Sequence, residues 1–125
     1  MRDFIDTLGV QLKDTLGVDY AGQEPQNKDD IAGDLVIIQR LGGLGSQYGR
    51  SDRPWIQFTA LSHTKQGAAD LLREVRRLMF QPKSTLGDYY VYRVTEALPP
   101  EGATLPRDPF YRYRATFEFH VSGLA

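Results

Sequence analysis

The sequence contains no cysteine, and that absence removes disulfide scaffolds, zinc ribbons and thiol nucleophiles together. It has no apolar run approaching the roughly 20 residues that a membrane-spanning helix requires. Histidine occurs twice and tryptophan once, so chemistry built on imidazole clusters has little to draw on. An excess of one charge is also missing. Fifteen Lys and Arg against sixteen Asp and Glu leave a formal net charge of −1, which gives no overall pull toward nucleic acid or a membrane surface. The opening residues, Met1-Arg2-Asp3-Phe4-Ile5-Asp6, are broken by acids and lack the apolar stretch of a signal peptide, so a soluble intracellular chain is expected. The rest of the composition is ordinary, with 41% hydrophobic and 25% charged residues in 125. A chain of that size is expected to form one domain, residues 1–125, burying roughly two-thirds of its unfolded surface around one core.

The charge is unevenly spread. Residues 1–34 hold three bases (Arg2, Lys13, Lys28) and eight acids (Asp3, Asp6, Asp14, Asp19, Glu24, Asp29, Asp30, Asp34), a net of −5. The remainder holds twelve bases and eight acids, a net of +4. Parts of opposite sign can attract within one molecule or between copies of it, although exposed pairs contribute only about 0–1 kcal/mol each.

Residues 4–16 place Ile5, Leu8, Leu12 and Leu16 at helical spacing, with Asp3 and Asp6 near the positive end and Gly17 as a left-handed stop. Gly9 inside this helix costs about 1 kcal/mol relative to alanine, so the helix depends on packing. Residues 19–34, DYAGQEPQNKDDIAGD, are polar and aperiodic and read as a flexible acidic loop. Residues 35–41 (LVIIQRL) form a strand, and a glycine-dense connection follows over 42–52. Residues 53–61 (RPWIQFTAL) form the next strand, with Pro54 at its start or on an edge.

Thr64 is placed to cap a helix reaching about Phe80, whose stripe is Ala68, Leu71, Leu72, Val75, Leu78 and Met79. A third strand spans 89–97 (YYVYRVTEA), and Leu98-Pro99-Pro100-Glu101-Gly102 ends it, opening a loop to Pro109. In the fourth strand Tyr111, Tyr113, Ala115, Phe117, Phe119 and Val121 alternate with Arg112, Arg114, Thr116, Glu118 and His120. One face is apolar and the other charged, with Arg112 and Arg114 exposed. The fold expected is α+β: a mainly antiparallel four-stranded sheet packed by two helices on one face, in the order helix-strand-strand-helix-strand-strand.

Motifs for chemistry are scarce. The cluster Gly42, Gly43, Gly45, Gly49 has no nearby lysine for a Walker loop, and Gly43, Gly45 and Gly49 space as G-x-G-x-x-x-G rather than G-x-G-x-x-G. Ser46 lacks the flanking glycines of a nucleophile elbow. Glu118 and His120 share a strand face at i, i+2, yet two groups are too few for a usual metal set. His63 reads as exposed loop. Asp29 and Asp30 sit in the polar loop with no apolar pocket to raise either pKa. An RNA-binding sheet would turn its aromatics outward, whereas those of the fourth strand share the apolar face, and the RNP1 pattern is missing. No enzyme, cofactor or metal site is expected. Long loops, open sheet edges and segregated charge point to assembly with copies or partners.

Three segments carry a resemblance. They are Arg40-Leu41-Gly42-Gly43 at the end of a strand, Asp52-Arg53-Pro54-Trp55-Ile56-Gln57-Phe58 leading into the 64–80 helix, and Asp108-Pro109-Phe110-Tyr111-Arg112-Tyr113-Arg114-Ala115-Thr116-Phe117-Glu118-Phe119. In this order and length the chain resembles the tail terminator, or tail completion, proteins of long-tailed bacteriophages and related contractile injection particles. The resemblance implies a structural virion subunit, assembled in the host cytoplasm, that forms a homo-hexameric ring at the head-proximal end of the tail. Such a ring stops tube polymerisation. Its implied partners are its own copies, the major tail tube protein, and a head completion or connector protein, with DNA passing through the lumen unread and no membrane. Arg40, Tyr48, Arg50, Arg53, Arg112 and Arg114 are assigned to subunit or partner contacts, and Arg40, Arg112 and Arg114 are expected to meet acids of a neighbour. Alternatives are another head–tail connector or neck protein, a nucleic-acid-binding α+β domain and, last, a small-molecule enzyme with a pocket between subunits.

Overall fold

A computed structural model describes residues 2–23, 33–44, 53–81, 85–86, 89–104 and 110–123. Helix α1 (Arg2–Leu16) is followed by strands β1 (Asp19–Ala21), β2 (Leu35–Leu44) and β3 (Arg53–Ser62). Helix α2 (Lys65–Met79) leads to β4 (Thr85–Leu86), β5 (Tyr89–Thr104) and β6 (Tyr111–Gly123). The strands form one curled sheet in the order β1-β2-β3-β6-β5-β4. Every neighbouring pair is antiparallel except β1 and β2, which run parallel.

The helices begin and end where local chemistry allows. Thr64 has extended backbone and its hydroxyl accepts the Gly67 N–H at 3.0 Å, satisfying one of the first-turn donors of α2. At the end of α1 the chain turns at Gly17 with φ +68°, and the Gly17 N–H reaches the Lys13 carbonyl at 2.9 Å. Both helices press on one face of the sheet. Phe4, Leu8 and Leu12 of α1, Leu72, Val75 and Leu78 of α2, and Ile56, Phe58, Ala115, Phe117, Phe119 and Val121 of β3 and β6 form a continuous core. Alternation therefore works as expected in β6: its odd-numbered residues from Tyr113 onward face the helices, and Thr116, Glu118 and His120 face away.

The sheet differs from expectation in four places. Among the described residues it has six strands rather than four, because two very short strands add to its borders and propensity alone cannot mark segments of two or three residues. The acidic loop at 19–34 starts as β1, parallel to the next strand in the chain. Consecutive parallel strands need a connection of about a dozen residues, which accounts for the length of the polar stretch that follows; residues 24–32 of that stretch lie outside the described residues. Strand β2 runs past Leu41 through Gly42 and Gly43 to Leu44, with a register shift between Arg40 and Gly42. Strand β5 continues past Leu98 to Thr104. Pro99 and Pro100 fall in the register shift between Leu98 and Glu101, where a missing N–H costs no ladder bond.

Candidate interaction face

The sheet face turned away from the helices is covered at one end and only partly buried at the other. Cross-strand register places its rows. Trp55 of β3 stands opposite Glu118 of β6, which stands opposite Thr95 of β5. The next row along is Gln39, Gln57, Thr116 and Leu98. At one end of this face Leu35, Ile37, Leu61 and Phe110 form a small second apolar cluster.

At the other end, three residues from two strands join in a polar network. The Trp55 indole Nε1–H donates to Glu118 Oε2 at 2.8 Å, and His120 Nε2 lies 3.1 Å from Glu118 Oε1. Register explains this: Trp55 is the direct cross-strand partner of Glu118, and His120 follows two residues on, on the same face. The carboxylate is thus gripped on both oxygens. The indole hydrogen bond holds the Glu118 pKa below its ordinary value, partial burial opposes it, and His120 and the Arg53 charge lower it further. Sequence reasoning noted Glu118 and His120 on one face but missed Trp55, because pairing across strands separated by a helix is not readable from spacing.

A folded-state pKa below the unfolded one stabilises at pH above the unfolded value and is lost as pH falls through the folded value. Acid unfolding should therefore include a Glu118 contribution that fades from about pH 5 downward. Glu118→Gln is expected to flatten the fall of Tm with pH in that range, measured by circular dichroism melts from pH 7 to pH 3, and to leave the slope near neutrality unchanged.

Of the six residues assigned to contacts, the four among the described residues lie at separate places on the sheet. Arg40 is exposed and stands in register with Ile56 on the helix side of β2. Arg53 is exposed at the start of β3, near Glu118. Arg114 is exposed toward the opposite end and donates to Glu101 Oε1 at 2.8 Å, so an acid of its own chain already answers it. Arg112 was expected to be exposed and is not: it is 8% accessible and donates to the Phe110 carbonyl at 3.4 Å. Its register partner Leu61 belongs to the second apolar cluster, so Arg112 lies on the covered end of that face, with its head bonded to backbone. Tyr48 and Arg50 lie outside the described residues.

Other readings fare as follows. Phe117 and Phe119 are fully buried and Tyr113 partly so, so the aromatic stripe of β6 is core rather than a base-stacking platform. His63 is exposed, as expected, with its ring 4.4 Å from that of Phe110. Among the described residues no third carboxylate or imidazole converges on Glu118 and His120 to complete a metal set.

Comparison with known proteins gives one family. A family model described as "Phage tail termination protein" matches residues 5–92, from α1 into β5 and well over half of the chain. The match includes the Arg40–Gly43 and Asp52–Phe58 segments and stops short of β6. No curated protein matches the chain.

Proposed function

Because the chain belongs to the phage tail termination protein family, we propose that it closes into a homo-hexameric ring at the head-proximal end of the tail tube. There it stops tube growth and joins the tail to head completion or connector proteins. The family match over residues 5–92 carries this reading. The helix-free sheet face supports it, since at the end that carries Trp55, Glu118 and His120 the side chains are only partly buried and remain accessible to a neighbour. Termination needs no bond chemistry. A ring seated on the last layer of tube covers the surface on which the next tube subunit would add, provided its far side does not recreate that surface. The role is structural, not catalytic. A net charge of −1 also suits a channel wall that DNA must pass without adhering, because tight non-specific binding requires many cations set against phosphates.

Particles assembled without this chain should show it directly. Electron micrographs are expected to reveal tails of abnormal, mostly excessive length that carry no heads, with normal length restored by supplying the chain in trans. Tails of normal length that merely fail to attach heads would overturn the terminator reading in favour of a head-completion role.

A further inference from the structure

Several surface charges are answered within the chain. Arg73 pairs with Asp70 at 3.2 Å, Arg76 with Glu96 at 2.8 Å, Arg77 with Glu74, Arg114 with Glu101 at 2.8 Å and Lys13 with Asp19 at 3.7 Å. Asp6, Asp14 and Arg93 are exposed and form no ion pair among the described residues. The two acids stand on α1 with Val10 midway between them. Residues four apart on a helix share a face, so Asp6, Val10 and Asp14 make one outward row, with Val10 49% accessible. Of the seven exposed large hydrophobic side chains among the described residues, Val10 is the one with an unpaired acid about one helical turn to either side.

Arg93 lines a cleft of about 180 Å³ between the end of α2 and β5, together with Met79, Phe80, Val91, Tyr92 and Val94. Phe80 and Tyr92 are 47% and 68% accessible there. A cleft with apolar walls and an unanswered cation suits an apolar side chain that arrives with a carboxylate beside it. The α1 row has that chemistry, and its charge follows the wider division of the chain into a net of −5 over residues 1–34 and +4 over the rest. Along the helix axis each acid lies about 6 Å from Val10, so one of them can reach Arg93 while Val10 occupies the cleft. Within a single chain this does not happen, since Val10 stays half exposed and neither acid meets Arg93.

We infer that the Asp6–Val10–Asp14 row of one copy docks on the α2–β5 cleft of a second copy, with Val10 against Phe80 and Tyr92 and one carboxylate on Arg93. The inference rests on the ring reading and specifies its joint. The two surfaces differ, so the contact is heterologous, the type that closes into rings. An exposed ion pair alone holds little; here it selects the orientation, and covering Val10, Phe80 and Tyr92 together supplies the attraction.

The cysteine-free sequence makes the test clean. Tails are assembled from an equal mixture of Val10→Cys and Tyr92→Cys chains, one of them carrying a mass tag, then oxidised and run on non-reducing gels. Because the two thiols sit on different chains, any disulfide between them is intermolecular. The expected result is a mixed dimer that reductant collapses, with neither variant dimeric alone. Charge reversal is the second measurement. Arg93→Glu should lose length control and give overlong tails, and adding Asp6→Lys/Asp14→Lys to the same chain should restore normal length. Dimers from Val10→Cys alone would mean that like surfaces meet, and would overturn the inference. So would the absence of a mixed dimer together with normal tails from Arg93→Glu. Tail length also separates this inference from the ring reading. Normal tails without a mixed dimer overturn the docking and leave termination standing, whereas tails of normal length made without the chain overturn termination whatever the gel shows.

Discussion

Phe117→Ala is expected to remove about 3–5 kcal/mol of folding stability, the largest effect of any single substitution considered. Phe117 is fully buried at the centre of the sheet, where its ring meets Phe58 edge-on at 5.8 Å and Phe80 at 5.3 Å, with Phe119 at 6.5 Å. Deletion forfeits the transfer free energy of the ring, leaves a cavity that β3 and β6 cannot close, and breaks aromatic pairs worth about 0.5–1.5 kcal/mol each. A domain of ordinary stability has about 5–15 kcal/mol in total, so the variant should unfold at a much lower urea midpoint. Phe80→Ala provides the contrast. Its side chain is 47% accessible, and its loss should cost about 1 kcal/mol or less. Equal midpoints for the two variants would contradict this account of the core.

Gly9→Ala should destabilise, although the same change in most helix interiors stabilises by about 1 kcal/mol. A Cβ at position 9 would stand 2.3 Å from Cδ2 and Cε2 of Tyr20 and 2.5 Å from its Cγ. These atoms are the body of the ring, not a flexible tip, so the clash is relieved only if β1 shifts from its pairing with β2. The expected net loss is about 1–3 kcal/mol. Removing the obstacle should restore the usual sign: in the Tyr20→Ala background, Gly9→Ala should stabilise. A denaturant double-mutant cycle reads this as a coupling of opposite sign to the helix gain. Additive effects would show that the ring does not rest on the helix.

Those two positions also show what was legible in the sequence. The β6 alternation and the α2 stripe with its Thr64 cap were readable because a period of two or of 3.6, sustained over many residues, has one low-energy solution against a core. The helix-on-one-face layering followed from them. Gly9 was readable only as a cost, because the residue that makes it necessary, Tyr20, belongs to a three-residue strand inside a polar stretch. Such a strand forms by tertiary pairing and leaves no local pattern. Pro99 and Pro100 were misleading for the opposite reason: the rule that proline ends a strand is local, and a bulge on an outer strand escapes it. The face carrying Glu118 and His120 was foreseen, whereas the Trp55 contact needed a register between β3 and β6. Arg112 looked exposed because alternation assigns a side chain to a face, and only the fold says which part of that face Leu61 and Phe110 cover.

The unlike borders of the sheet have a consequence for how growth of a filament is halted. A closed object built from borders that match only each other has no two-fold axis in its plane, so its top and bottom are chemically different surfaces. One of them can be shaped to fit a growing tip while the other offers nothing for the next layer to recognise. A plug with identical ends would either fail to seat or be capped in turn by whatever it had just capped. In the proposed ring, directionality at the scale of the whole tail would then originate in the unlike borders of one sheet, β1 on one side and β4 on the other among the described residues.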